Sequence, residues 1–297
     1  MPVATAGLTE MSPAEFRRMS EFIYQRWGIH LPPSKKALLE GRLRKRLHQL
    51  RLPGFKEYCQ YLFSPEGMAR EALEMVDLVT TNKTEFLREP DHFEYLTATV
   101  LPTLAADQTG GTGDRFLVWS AGCSSGEEPY TLAMVLSEFA ASHPHFRFRI
   151  LATDISARML AIARDGIYPE ERIAPVPLEW RRRYLMRSKD PARRVVRFTP
   201  EIRARITFQR LNLMEVGTQV RETFQIIFCR NVIIYFDRFT QEKLLREFYR
   251  RLPPGGYLFL GHSETLTGLD IPLLNVAPTV YRKPFAEGEG PPHGLTR

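Results

Sequence analysis

The stretch FLVWSAGCSSGEEPYTLAMVL, residues 116–136, decides the fold. It opens on apolar and aromatic residues, narrows to small ones between Ala121 and Gly126, and from Glu127 resumes apolar residues at helical spacing. That order reads as strand, tight turn, helix. Gly122 and Gly126 in the turn let backbone amides approach a ligand at the start of the helix. The turn lacks the G-x-G-x-x-G of dinucleotide binders, and any tight strand-to-helix turn uses glycine, so by itself it distinguishes little.

Working outward, the same rhythm repeats. FRILATD (148–154), RITFQRLN (205–212), FQIIFCRN (224–231) and GYLFLGHS (256–263) read as strands between helices, with TVYRKP (279–284) as a late extra one. Alternation of this kind predicts a parallel sheet with helices packed on its faces, an α/β architecture. Asp154 ends the second strand, where an acid can bind ribose hydroxyls; the plainer alternative makes Asp154 or Ser156 a helix cap. Asn212 follows the third strand, and Arg230 with Asn231 follows the fourth. In an open parallel sheet ligands lie at the carboxyl ends of the strands, so Glu127, Glu128, Asp154, Asn212 and Asn231 converge on one crevice. Tyr235, four residues past Asn231 in an apolar VIIYF, reads equally well as core. Between a helix ending near Arg164 and the strand from Arg205, about 40 residues stand where a short connection is usual. We expect an inserted subdomain at about 166–205, with EWRRRYLMR helical and with RRVVRFTP and RITF suited to a small antiparallel sheet.

Before residue 116 the pattern differs. From Ser12 to about Leu104 it is helical, opening on Ser12-Pro13-Ala14-Glu15, an N-cap with Pro in the first turn and an early acid. Leu39, Leu43, Leu47 and Leu50 recur on one helix face, leaving Lys35, Arg42, Lys45 and Arg46 on others. Eight Lys or Arg and a single acid, Glu40, lie between Pro33 and Lys56; a solvated face is the plain reading, an acidic partner the functional one. TTNKTEFLRE (80–89) interrupts the helices with hydrogen-bonding side chains and then Arg88. Helix capping is its plain reading. The Gly-rich DQTGGTGD (107–114) is a linker. The expected domains are a helical one at 1–104, a sheet domain at 105–285, and a disordered tail, AEGEGPPHGLTR, at 286–297.

Composition bounds the function. The 297 residues carry 41 Lys plus Arg against 34 Asp plus Glu, a formal charge of +7, which admits nucleic acid, anionic lipid or acidic protein as partner. Cys59, Cys123 and Cys229 are odd in number and widely spaced, so neither a disulfide framework nor a zinc site is indicated. No basic-then-apolar leader opens the chain, and no apolar run is long enough to span a membrane. A cytoplasmic protein with no membrane insertion is expected.

Taken together, TTNKTEFLRE, VWSAGCSSGEEPYTLA, LATDIS, LNLME, IIFCRNVIIYFD and GGYLFLGHSE closely resemble the CheR-type chemotaxis receptor methyltransferases. The resemblance covers roughly residues 12–285 and keeps motif order. It implies a Rossmann-like S-adenosylmethionine-dependent methyltransferase domain, an all-helical N-terminal domain and a small inserted antiparallel β-subdomain. The implied activity is esterification of chosen glutamates on the cytoplasmic helices of chemoreceptors, by a monomer and without a metal. Carried over by motif, Asn82, Thr84 and Arg88 line the cofactor, with Arg88 near its carboxylate and the transferred methyl. Gly122 belongs to the cofactor turn; Glu128, or Glu127, sits by the amino group. Asp154 holds the ribose; Asn212, Leu213, Arg230 and Asn231 flank the adenine; Tyr235 faces the methyl. Lys35, Arg42, Lys45 and Arg46 offer positive charge to acidic receptor helices. MRSKDPARRVVRF (186–198) has no glycine, a departure from family members that grip a receptor tether with a glycine-bearing loop.

Such a reaction asks little of the protein. A glutamate with pKa about 4.3 is already a carboxylate at neutral pH, so no general base is needed. A nucleic-acid methyltransferase is the first rival, favoured by the basic charge and by NVIIYF, which loosely echoes the Asn-Pro-Pro-aromatic motif without its prolines. A non-catalytic receptor adaptor is the second, and a nicotinamide dehydrogenase, lacking the glycine fingerprint, a weaker third.

Overall fold

The computed structural model describes residues 10–106, 116–190 and 192–285; the expected linker and tail lie outside them. The chain divides into two compact units, Met1–Thr81 with Tyr235–Asp237, and Asn82–Ile234 with Arg238–Arg297. The expected boundary near residue 104 therefore moves back to 81. The reason is packing: Phe93, Leu96, Val100, Leu101 and Leu104 join the sheet's own core.

Among its described residues the first unit holds four α-helices, α1 (Pro13–Trp27), α2 (Lys36–Leu50), α3 (Phe55–Leu62) and α4 (Pro65–Val79). Ser12 caps α1 in a capping box with Glu15, and Gly28 at φ 73° ends it. In α2 Leu39, Leu43 and Leu47 are buried as their spacing requires. Arg46 on that helix pairs with the fully buried Glu71 of α4 at 2.6 Å, and Tyr58 of α3 donates to the same carboxylate at 3.0 Å. Three helices are thus joined by one buried carboxylate.

In the second unit α5 (Pro90–Tyr95) leads through a π-helical turn (Leu96–Val100) into α6 (Leu101–Ala106). Strands β1 (Phe116–Ala121) and β2 (Phe148–Asp154) flank α7 (Glu127–Ser142), and α8 (Ala157–Asp165) follows β2. The inserted region forms β3 (Ile167–Pro169), α9 (Leu178–Tyr184), β4 (Leu185–Arg187) and β5 (Val195–Phe198). A short α10 (Pro200–Arg203) leads to β6 (Ile206–Arg210); α11 (Val216–Gln219), β7 (Ile226–Cys229), α12 (Arg238–Arg251), β8 (Tyr257–Leu260), β9 (Leu274–Ala277) and β10 (Val280–Arg282) complete it.

Seven strands make the main sheet in the order β6-β2-β1-β7-β8-β10-β9. The first five run parallel, while β10 pairs antiparallel with both β8 and β9. From β1 the chain winds outward to β2 and β6, then crosses back to β7 on the other side of β1. The carboxyl ends of β1 and β7 thereby flank a topological switch point, where open α/β sheets bind ligands. Two expectations change. RITF lies in β6 of the main sheet, not in the small antiparallel one, and EWRRRYLMR is helix only to Tyr184, its end being β4. The small sheet itself has three antiparallel strands, β3-β5-β4. Among the described residues no helix is long and apolar enough to cross a membrane.

Candidate functional site

The turn after β1 is held open by backbone geometry. Gly122 stands at φ 86° and Gly126 at φ 100°, with Ser124 between them at φ 48°. A Cβ on Gly122 would meet Val232 Cγ2 at 2.5 Å, so a side chain there is excluded by space as well as by φ. Asp154, 9% exposed, binds this turn to the end of β2: Oδ2 accepts from the Ser124 amide and Oδ1 from the Ser156 amide, both at 2.8 Å. The cap expected here falls to Ser156. Ser156 caps α8 through the Met159 amide, whereas Asp154 lies at the switch point with its carboxylate oriented by two backbone donors.

The two glutamates at the start of α7 go separate ways. Glu127, fully buried, accepts from Ser125 at 2.7 Å and pairs with Arg172 of the inserted region. Glu128 joins the strand ends, accepting from Ser120 Oγ of β1 at 2.7 Å and from Arg230 Nε, just past β7, at 2.8 Å. Arg230, 7% exposed, continues the network: Nη1 donates to the Arg88 carbonyl at 2.7 Å and to His92 Nδ1 at 3.1 Å. Because arginine only donates, His92 Nδ1 accepts, and Nε2 carries the proton toward Thr279 Oγ1 at 2.8 Å. Burial and the neighbouring Arg230 hold the His92 pKa down at about 4, so the ring is neutral at pH 7. Glu89, His92 and His262 bring ligand-type atoms within 4.8 Å of one another, with the Arg230 cation already directed at that spot.

No side chain of the segment 80–89 caps a helix start: Thr80 is the C-terminal cap of α4, and Glu89, which precedes α5, makes no side-chain cap bond. Between Thr80 and Pro90 no helix begins. Instead the chain is tied to the second unit: the Asn82 carbonyl accepts from Ser124 Oγ at 3.1 Å, the Thr84 carbonyl from Arg172 at 3.4 Å, and the Leu87 amide donates to Thr131 Oγ1 at 3.2 Å. Arg88 is flanked by Leu87 at φ 55° and Glu89 at φ 57°, both in the left-handed region that residues with a Cβ avoid. Its half-buried side chain reaches the Lys83 carbonyl at 3.0 Å. Asn231, at φ 58°, contacts Glu89 through Nδ2 at 3.3 Å. Asn212 caps the turn Leu213–Glu215, one residue after Leu211 bonds the Asp154 carbonyl.

Contacts within the second unit link Asn82 through Ser124 to Asp154, Thr84 through Arg172 to Glu127, and Arg88 and Glu128 to Arg230, with Asn231 on the neighbouring Glu89 and Gly122 in the same turn as Ser124; Asn212 and Leu213 only follow Leu211, whose amide bonds the Asp154 carbonyl. The remaining expected residues belong to the first unit. There the Tyr235 carbonyl accepts from the His30 amide at 2.8 Å, and Lys35 and Lys45 are exposed. Arg42 donates to the Val79 carbonyl and, at 2.6 Å, to Thr81 Oγ1, so its charge, like that of Arg46, serves the fold. Sequence reasoning missed Glu89, His92 and Arg172, none of which stands at a strand end. Glu264 lay inside the quoted GHSE without being singled out.

Comparison with known proteins matches the two units in turn. The all-alpha domain of CheR methyltransferases matches residues 14–80, and the SAM binding domain of CheR methyltransferases matches 82–281. A chemotaxis protein methyltransferase of Borreliella burgdorferi is 38% identical over 91% of this chain and 94% of its own. A probable chemotaxis protein methyltransferase of Rhizobium etli is 40% identical over 88% and 96%; that of Escherichia coli is 38% identical over 91% of each. The chain belongs to the CheR methyltransferase family, and its second unit is an S-adenosylmethionine-binding methyltransferase domain.

Proposed function

We propose that this protein transfers the methyl group of S-adenosylmethionine to glutamate carboxylates on the cytoplasmic helices of chemoreceptors, giving methyl esters used in chemotactic adaptation. The observation that carries this reading is the meeting of Asp154, the Glu128–Arg230 pair and the Asn82–Arg88 segment at the switch point of a CheR-family sheet. S-Adenosylmethionine supplies an electrophilic methyl on a sulfonium. The donor set fits it. Asp154 is an oriented acceptor for ribose hydroxyls, Glu128 and Glu127 match an amino group, Arg88 matches a carboxylate, and Gly122 leaves backbone room. Asn212, Leu213, Arg230 and Asn231 flank the adenine in this proposal, and Tyr235 acts at the transfer step.

The chain's own chemistry is then positioning. The nucleophile is a carboxylate already ionised at neutral pH, so no residue need take a proton. Opposite charges on nucleophile and sulfonium vanish in the product, and water exclusion favours their in-line meeting. Arg88 orients the receptor oxygen. Lys35 and Lys45, exposed in the first unit, offer charge to an acidic receptor helix, with Arg42 and Arg46 adding to the field from fixed positions. The protein acts in the cytoplasm as a monomer, with no metal and no nucleic acid. Mass spectrometry of a receptor cytoplasmic fragment incubated with cofactor and enzyme tests the reading. A gain of one methylene on glutamate side chains supports it; modification confined to other residue types overturns it.

A further inference from the structure

Glu264, four residues beyond β8, has no part in the roles assigned above, yet it is 4% exposed and carries five backbone hydrogen bonds. Its Oε1 accepts from the amides of Val232 and Ile233 at 2.8 Å and of Ile234 at 3.3 Å. Its Oε2 accepts from Asn231 at 2.8 Å and Gly261 at 2.6 Å. Four of these donors, Asn231 to Ile234, are consecutive, running into the free amides that open a helical turn, here Ile233–Tyr235. A carboxylate is the group best suited to gather them. Burial raises the Glu264 pKa, and the bonds from Gly261, Asn231, Val232 and Ile234 oppose that rise.

The gathered turn is the strained one after β7. Asn231 holds φ 58°, which needs support from its surroundings. Support also comes from Gly261, where a Cβ would meet Asn231 Nδ2 at 2.4 Å and its amide nitrogen at 2.7 Å. Carboxylate and glycine press the turn from one stretch of chain, Gly261–Glu264.

We propose that Glu264 is a positioning residue for cofactor binding, its buried carboxylate fixing the Arg230–Asn231 turn at the switch point and so setting the affinity for S-adenosyl ligands. This rests on the cofactor reading of Asn231. Glu264→Gln replaces one oxygen by an amide nitrogen that must face two or three N–H donors in either orientation. Glu264→Asp keeps both acceptors but draws them back by one methylene.

The test is calorimetric binding of S-adenosylhomocysteine to the full-length protein, below the Tm of every variant, with Leu245→Ala in α12 as a destabilised control. E264Q is expected to bind at least tenfold more weakly, E264D to fall between it and wild type, and the control to bind like wild type although its Tm drops. In turnover, KM for S-adenosylmethionine should rise while KM for the receptor fragment stays within twofold. E264Q with a lowered Tm but affinity within twofold of wild type overturns the proposal; should E264Q not fold, the same result in E264D does so. A wild type that fails to bind overturns the cofactor reading, and this role with it.

Discussion

Arg88 shows how much backbone can be committed to one side chain. Residues at both its sides hold left-handed φ values, its carbonyl is held by Arg230, and the segment is bonded to Ser124 and Thr131. Such placement costs of order 1–3 kcal/mol per strained residue and persists where the surroundings enforce it. Arg88→Ala should cut transfer on the order of a hundredfold or more with the Tm almost unchanged, because truncation leaves the backbone bonds in place; near-normal turnover would remove Arg88 from the reaction. His92 gives a pH signature. Its pKa is held near 4 in the fold, below the unfolded value near 6.5, so the unfolded chain binds more protons between the two. The ring's contribution is complete above about pH 6.5 and is lost as pH falls through about 4, when Nδ1 would carry a proton facing Arg230. Glu89, Asp91 and His262 also face it, the first two favouring the charged ring. Denaturant melts of wild type and His92→Asn across pH 4–7 should differ in slope; parallel curves would contradict the assignment. Asp154 was legible in the sequence because strand ends advertise themselves. His92 was not, since a histidine inside REPDHFEY looks like any helical residue until the fold brings Arg230 to it.

At the scale of elements, strands with four or more apolar residues were legible: FRILATD is β2 to the residue, and FQIIFCRN and GYLFLGHS contain β7 and β8. The misses are short or mixed. β3 and β4 have three residues each, too few for a period to emerge, and β9, LNVA, is an edge strand with exposed Leu274 and Val276. The helices at 90–106 carried an ordinary helical pattern, and nothing local to them says which unit they join. In α2 the apolar stripe was legible, but not which cations were committed. Arg46 was expected to face a partner and instead satisfies Glu71, whose burial appears only in three dimensions. Glu71→Ala removes the acceptor of both Arg46 and Tyr58, and about 3 kcal/mol of stability should go with it. Urea denaturation measures this directly, and a loss below about 0.5 kcal/mol would mean that the pair is a surface contact in energetic terms.

The whole molecule combines a helical unit, basic along α2, with a sheet whose switch point collects acids, amides and arginines. Net charge alone left nucleic acid, lipid and acidic protein open, and it was the ordered set of motifs that narrowed them. Transfer to glutamate is the central claim. Its most direct measurement uses methyl-labelled S-adenosylmethionine with a receptor cytoplasmic fragment, an RNA pool and a DNA pool in parallel, followed by mild alkali. The account predicts label on the receptor alone, released by base as methanol. Base-stable label on nucleic acid, or receptor label that survives alkali, would contradict it.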